Sequence, residues 1–260
     1  MYRLLATTGL LVSLVCGSTA ASADTFADVL KNGVIRIAVP LDVPPFGSQN
    51  QERKAEGFDV ELAEMVGKAL GVKVEFQQVT GANRIPYLLT DKVDVVISVM
   101  GLTPERAKQI MFTAPYADTS LAVYGPKSAI VKSADDLGTL RVVAAKGTTQ
   151  DLGLAAMNPK ANIMRTEDDA TAATAYITGQ ADLFATNSLI VPDLMKRAPN
   201  KEFELKFVIR RSPAHMGVKM GEHNMLQWLN SFIFFNSMNG DLDKLHRKWL
   251  AQPMVPLPTL

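Results

Sequence analysis

Two short stretches of this chain carry residue types that hold an anion. The first is Leu102-Thr103-Pro104-Glu105-Arg106, which follows an apolar run at 93–99 and Gly101. Thr103 is a good N-cap, and Pro104 suits the first helical position, where no N–H is needed. A helix start presents free N–H groups and partial positive charge. Arg106 adds a planar guanidinium fork that matches a carboxylate. With Ser98 at the end of the apolar run and no side chain on Gly101, the stretch describes a carboxylate receptor. It equally describes an ordinary capped helix with a surface arginine, and these residues alone support both readings.

The second stretch, Lys146-Gly147-Thr148-Thr149, repeats the logic: a predicted strand at 141–145, a glycine, hydroxyl caps and a helix. If the two units face each other, Arg106 on one side and Thr148 and Thr149 on the other enclose a cleft for a small anionic or zwitterionic ligand. Other chemistries lack their residues. His215, His223 and His246 are not spaced as metal ligands, and the only cysteine is Cys16, so neither a metal nor another cofactor is expected. Residues 146–149 lack the glycine frame of a phosphate loop, and no nucleophile-elbow G-x-S-x-G occurs.

The rest of the chain must position these stretches. Formal charge is +1 over 260 residues, so no nucleic-acid partner is expected. Met1-Tyr2-Arg3, an apolar run to Cys16 and Ala21-Ser22-Ala23 read as a cleaved signal peptide over 1–23. This implies export to the periplasm. Its removal takes Arg3 and no acid, leaving 26 cations against 26 anions. It also takes Cys16, so the mature chain must rely on packed cores rather than disulfides. No later run of about 18 apolar residues suggests a membrane span.

A helix is expected at 25–32, a strand at 34–39 and a rigid proline-rich loop at 40–50. An amphipathic helix follows at 57–71, with Phe58, Leu62, Met65, Val66 and Ala69 on one stripe. A strand at 72–79, a helix from 83 and the strand at 93–99 come next. The helix after Thr103 is expected to end at Phe112-Thr113-Ala114-Pro115-Tyr116. Strands at 120–124, 141–145, 163–165 and 182–185 and helices at 132–138 and 168–178 form a second unit. Residues 208–213 lead to a last strand at 216–220. Helices at 224–238 and 242–250, joined at Asn239-Gly240, precede an extended proline-rich tail at 253–258. The fold class is α/β, in two units with mainly parallel sheets.

Four motifs in this order resemble the periplasmic solute-binding proteins of polar amino-acid ABC transporters. They are Gly57-Phe58-Asp59-Val60-Glu61-Leu62 with its helix; Leu102 to Ala107 followed by Phe112 to Tyr116; Gly147-Thr148-Thr149; and Asn239-Gly240-Asp241-Leu242 with Lys248-Trp249-Leu250. The resemblance implies a type II-like periplasmic binding protein: two α/β lobes joined by a two-strand hinge. Lobe 1 would hold 25–117 plus 214–260, and lobe 2 would hold 121–211. A monomeric receptor would deliver an amino acid or related carboxylate to ABC permease subunits. Arg106 would take the ligand carboxylate, completed by Ser98, the Gly101 N–H, Thr148 and Thr149.

Asn187 falls where amino-acid binders usually place an aspartate for the ammonium, and Val43 where many carry an aromatic residue. Arg84 precedes Ile85-Pro86 as in some members that bind acidic amino acids. It would hold a second carboxylate, or else be a surface arginine at a helix start. The same fold also resembles cyclohexadienyl dehydratases. That enzyme needs a proton-transfer group in the cleft, and no obvious Glu or His on the lobe-2 loops supplies one.

Overall fold

A computed structural model describes residues 25–259; the expected signal peptide lies outside the described residues. The chain first builds α1 (Thr25–Asn32), β1 (Val34–Val39), a small hairpin of β2 (Ser48–Gln49) and β3 (Ala55–Glu56), α2 (Phe58–Leu70), β4 (Lys73–Gln78), α3 (Arg84–Leu89), β5 (Val95–Gly101), α4 (Pro104–Ala107) and β6 (Ile110–Ala117). It then crosses to β7 (Ser120–Gly125), a 3-10 turn (Ala134–Leu137), β8 (Arg141–Ala145), α5 (Thr149–Met157), β9 (Asn162–Thr166), α6 (Asp169–Ile177), β10 (Leu183–Asn187), α7 (Val191–Arg197) and β11 (Glu204–Arg211). It returns through β12 (Ala214–Lys219) and closes with α8 (His223–Met238) and α9 (Asp241–Leu250).

Two five-stranded sheets result, in the orders β4-β1-β5-β12-β6 and β11-β7-β10-β8-β9. Strands linked by helical crossovers run parallel: β4, β1 and β5 in one sheet, β10, β8 and β9 in the other. The returning strand β12 lies antiparallel between β5 and β6, and β7 lies antiparallel between β10 and β11. The two crossings between sheets are tied together. Ser212 N–H donates to the Thr119 carbonyl at 2.8 Å, the Thr119 hydroxyl donates to the Ser212 carbonyl at 2.6 Å, and Arg211 pairs with Asp118 at 2.7 Å.

Local sequence explains most elements. In α2, Phe58, Leu62 and Val66 are fully buried along the apolar stripe, and Gly71 ends the helix in the left-handed region at φ 71°. Strands buried on both faces read as apolar runs, as β1 and β8 do.

One expectation needs correction, and two elements go beyond what was expected. The helix after Thr103 is only the four-residue α4, and Phe112 to Tyr116 belong to β6, which pairs with β12. Cross-strand pairing outweighs the weak helical signal there. Helix α7 was not anticipated, because its buried residues Val191 and Leu194 are too few to show a period. The first half of β11 was also missed. Of its residues only Phe207 is buried, so its alternation is faint.

Strand β5 carries the feature that shapes the cleft. Its pairing with β12 is regular at Val96 and Met100 but shifts between them, and Val99 has φ 38°, unusual for a β-branched residue. The Val99 N–H turns away from the ladder to Asp59 Oδ2 at 2.7 Å and the Tyr116 hydroxyl at 3.0 Å. Tyr116 in turn donates to Asp59 Oδ1 at 2.9 Å. Asp59 and Tyr116 are completely buried, so this bulge is fixed from beneath. Tyr116→Phe removes one of the donors to a buried carboxyl and is expected to lower the unfolding free energy in urea by about 1–3 kcal/mol. An unchanged urea midpoint would show that the bulge stands without it.

Candidate ligand-binding cleft

The carboxyl ends of the parallel strands, where α/β sheets place ligands, face each other across the hinge. Arg106 lies in the first turn of α4, whose N-cap Thr103 accepts from the Arg106 N–H at 3.2 Å. The Arg106 guanidinium does not reach solvent; the residue is 5% exposed. Its Nη1 donates to the Gly101 carbonyl at 2.6 Å and to Thr149 Oγ1 at 2.8 Å, and its Nη2 to the Gly147 carbonyl at 2.9 Å. One fork therefore joins the end of β5 to the loop that opens α5 in the opposite lobe. Among the described residues, no carboxylate pairs with it.

Other contacts also cross the gap. Asp169 N–H, at the start of α6, donates to Asp42 Oδ2 at 3.0 Å, and Arg210 Nη2 donates to the Leu102 carbonyl at 3.2 Å. The lobes approach so closely that a Cβ on Gly81 would lie 2.6 Å from Thr148 Cγ2 and 3.0 Å from the Lys146 carbonyl. Gly101 is a close approach of the same kind. A Cβ there would meet Ser212 Oγ at 2.2 Å and Thr149 Oγ1 at 2.9 Å. A hydroxyl side chain at 101 has no room, because Ser212 from the hinge already fills the place.

The structure brings Ser98, Arg84, Thr148, Thr149 and Asn187 onto the wall of one cavity between the lobes. Arg106 and Gly101 stand behind Thr149 rather than on that wall. Three details differ from a simple reading of the residue types. The Thr148 hydroxyl is committed to its own helix, donating to the Ala145 carbonyl at 2.7 Å and capping Asp151 N–H at 3.3 Å. The Asn187 side-chain carbonyl already accepts from Leu189 N–H at 3.0 Å. Arg84 is no surface residue: it is 4% exposed, with Nη1 on the Ser98 carbonyl at 2.7 Å.

Sequence reading missed Asp42, Asp169, Gln150 and Ser212, which line the same cavity. Asp42 sits in the proline-rich loop at the carboxyl end of β1, where α/β sheets place ligands, so that position was the available signal. Asp169 is masked by its resemblance to an ordinary acidic first-turn residue, and it accepts from Gln150 Nε2 at 3.3 Å. Two buried polar atoms in the cleft have no partner, Arg84 Nε and Asp42 Oδ1. Leaving such a group unsatisfied costs about 1–3 kcal/mol.

Burial dominates the electrostatics. It pushes the Asp59 and Asp169 carboxyls up to about 7; the charges of Asp42 and Asp168 add to the effect on Asp169, and Arg84 opposes it. Asp42 is raised by burial, with a further push from Asp168. Arg106 is lowered to about 9 by burial and by the neighbouring cations Arg84 and Arg210. A roomier concavity of about 760 Å³ lies on the outer face of the first lobe, among Met65, Trp228, Phe232 and Phe235. Its walls are mainly apolar, and the charges of Glu61 and Lys248 there are paired at 2.5 Å. The chemistry therefore favours the smaller cleft.

The sequence pattern of the bacterial extracellular solute-binding proteins, family 3, matches residues 35–252. The chain belongs to this family. The ABC transporter glutamine-binding protein GlnH of Bacillus subtilis (strain 168) is 29% identical over 235 residues, covering 88% of this chain and 85% of that one. The crystal structure of a solute receptor for L-cysteine of Neisseria gonorrhoeae shares 30% identity at a TM-score of 0.81, over 86% of this chain and 93% of its own. The ancestral amino-acid-binding protein AncCDT-1, a precursor of cyclohexadienyl dehydratase, shares 31% identity at a TM-score of 0.80, over 87% of this chain and 99% of its own. The family-3 fold is that of the type II periplasmic binding proteins, two α/β lobes on a two-strand hinge. No helix among the described residues of this family-3 chain is long and apolar enough to cross a membrane.

A carboxyl with a higher pKa in the folded state gives a folded chain that holds more protons than the unfolded one between the two values. For Asp169 that window runs from about 3.8 to about 7, and within it stability falls as pH rises. His215 and His246, lowered by burial, act in the opposite direction below their ordinary 6.5. Comparison with Asp169→Asn isolates the acid: between about pH 5 and pH 7.5 the urea midpoint of the variant is expected to fall less steeply than that of the parent. Equal slopes would show that Asp169 ionises as a free carboxyl does.

Proposed function

We propose that this protein captures a small polar amino acid or a related carboxylate between its lobes and hands it to the permease of an ABC transporter. In this reading it acts in the periplasm as a monomer, with lobe 1 at 25–117 plus 214–260 and lobe 2 at 121–211. The observation that carries the reading is the buried, uncompensated Arg106 guanidinium, bonded to both lobes and held beside two further cations. An incoming carboxylate would supply the missing counter-charge. Ser98, Gly101, Thr148, Thr149 and Asn187 would surround the solute, and Arg84 would meet its far end.

The energetics suffice. A charge-assisted hydrogen bond contributes about 1.5–3 kcal/mol net. A few of these, with desolvation of the cleft on closure, reach the roughly 8 kcal/mol of a micromolar complex after association costs. Names of the relatives support a binding role, since the curated ones are binding proteins for glutamine, cystine, histidine and arginine.

A dehydratase-like activity on the same fold is the rival reading. Asp169, a carboxyl near neutrality on the lobe-2 side of the cleft, is the proton-transfer group that this reading needs. Incubation with prephenate or arogenate is expected to give no aromatic product by absorbance. Turnover that Asp169→Asn abolishes would establish the enzyme instead.

Arg106→Ala is expected to keep a folded circular-dichroism spectrum and to lose the solute-induced rise in Tm, with affinity at least about tenfold weaker, the loss of a single charged contact. A variant that retains the full rise would place the carboxylate elsewhere.

A further inference from the structure

We propose that Ser212, on the second crossing between the lobes, is a solute-contact residue whose hydroxyl donates to the solute's carboxylate beside that of Thr149. This rests on the solute-binding reading above and deepens it, because it makes the hinge itself part of the site.

The backbone fixes Ser212 in place. It stands between β11 and β12, two residues before Ala214, which pairs with Gly101 at the end of β5. Its N–H and its carbonyl are both taken by Thr119 on the first crossing, at 2.8 and 2.6 Å. The hinge therefore uses the main chain of Ser212 and leaves its side chain over. The residue is 3% exposed, and it lines the cavity between the lobes. Among the described residues its hydroxyl bonds to no protein group, yet it is not one of the sealed atoms without a partner, as Arg84 Nε and Asp42 Oδ1 are. A nearly buried hydroxyl placed in this way finds its partner in the cavity.

Thr149 supplies the second donor. Its Oγ1 accepts from Arg106 Nη1 at 2.8 Å, so its own proton points elsewhere. Ser212 Oγ fills the place that a Cβ on Gly101 would take, and Thr149 Oγ1 lies 2.9 Å from that same point. The two hydroxyls thus flank Gly101, one from the hinge and one from lobe 2. Glycine at 101 is what lets the hinge hydroxyl stand there, since a side chain would displace it.

The charge around this point selects the occupant. Arg106 stands behind Thr149, and Arg84 and Arg210 are its neighbouring cations. Three positive charges repel an ammonium and favour an anion. A carboxylate oxygen has the lone pairs to accept from both hydroxyls at once, and it brings the charge that Arg106 lacks.

Isothermal titration calorimetry of the mature protein against the common L-amino acids identifies the tightest binder, which is then used with carbon-13 in its carboxyl group and side chain. No heat from any of them overturns the amino-acid reading on which the proposal rests. Ser212→Ala keeps the backbone bonds to Thr119 and is expected to remain folded, with affinity for that amino acid weaker by about tenfold or more, the loss of one hydrogen bond to a charged group. At saturating ligand the resonance of the bound carboxyl carbon is expected to differ between parent and variant, while that of the outermost side-chain carbon stays. Unchanged affinity, or weaker binding with an unmoved carboxyl resonance, overturns the Ser212 contact and leaves the solute-binding reading standing.

Discussion

The structure depends on how a positive charge is kept dry. Arg106 is buried among carbonyls and a threonine hydroxyl, with other cations nearby and no carboxylate paired to it. Carbonyl dipoles can solvate a guanidinium but cannot neutralise it. A closed cleft built around such a group is therefore incomplete in charge, and the deficit has the sign of the solute it would admit. The nearby acids show the opposite side of this design. Asp42 and Asp169 come from different lobes and meet across the gap, where the Asp169 N–H donates to Asp42 Oδ2.

The second constraint is steric. Closure brings backbone against backbone at Gly81 and Gly147 and packs Gly101 against Ser212. Glycine at these positions is a requirement of approach rather than of flexibility alone. The bulge at Val99 belongs to the same system. It aims the Ser98 carbonyl at Arg84 and is held by Asp59 and Tyr116, which lie outside the cleft. The packed core and the recognition surface are thus one network, and a change in the α2 start is transmitted to the cavity wall through a single amide.

Much of the fold was legible because its signals are local. The α2 stripe, the Gly71 stop, the Thr103 and Thr148 caps and the buried runs of β1 and β8 each follow from a few neighbouring residues. What depends on distant partners was not legible. Residues 112–116 look neutral until β12 pairs with them, and α7 is too short to show a period. In the cleft, the residue types singled out Arg106 and Thr149 without choosing between an anion site and ordinary capped helices, and the structure joins the two at 2.8 Å. Asp169 and Ser212 were silent, since their places on the cavity wall depend on both lobes, and Asp42 was marked only by its loop. The commitments of the Thr148 and Asn187 side chains to their own loops are likewise properties of three-dimensional context.

The double crossing has a consequence for how the protein is made. Strand β12, near the end of the chain, inserts between β5 and β6. Lobe 2 is built from one continuous run of chain, whereas without β12 the strand β6 stays separate from β4-β1-β5, so a chain cut short before residue 214 cannot complete the first sheet however intact its earlier strands are.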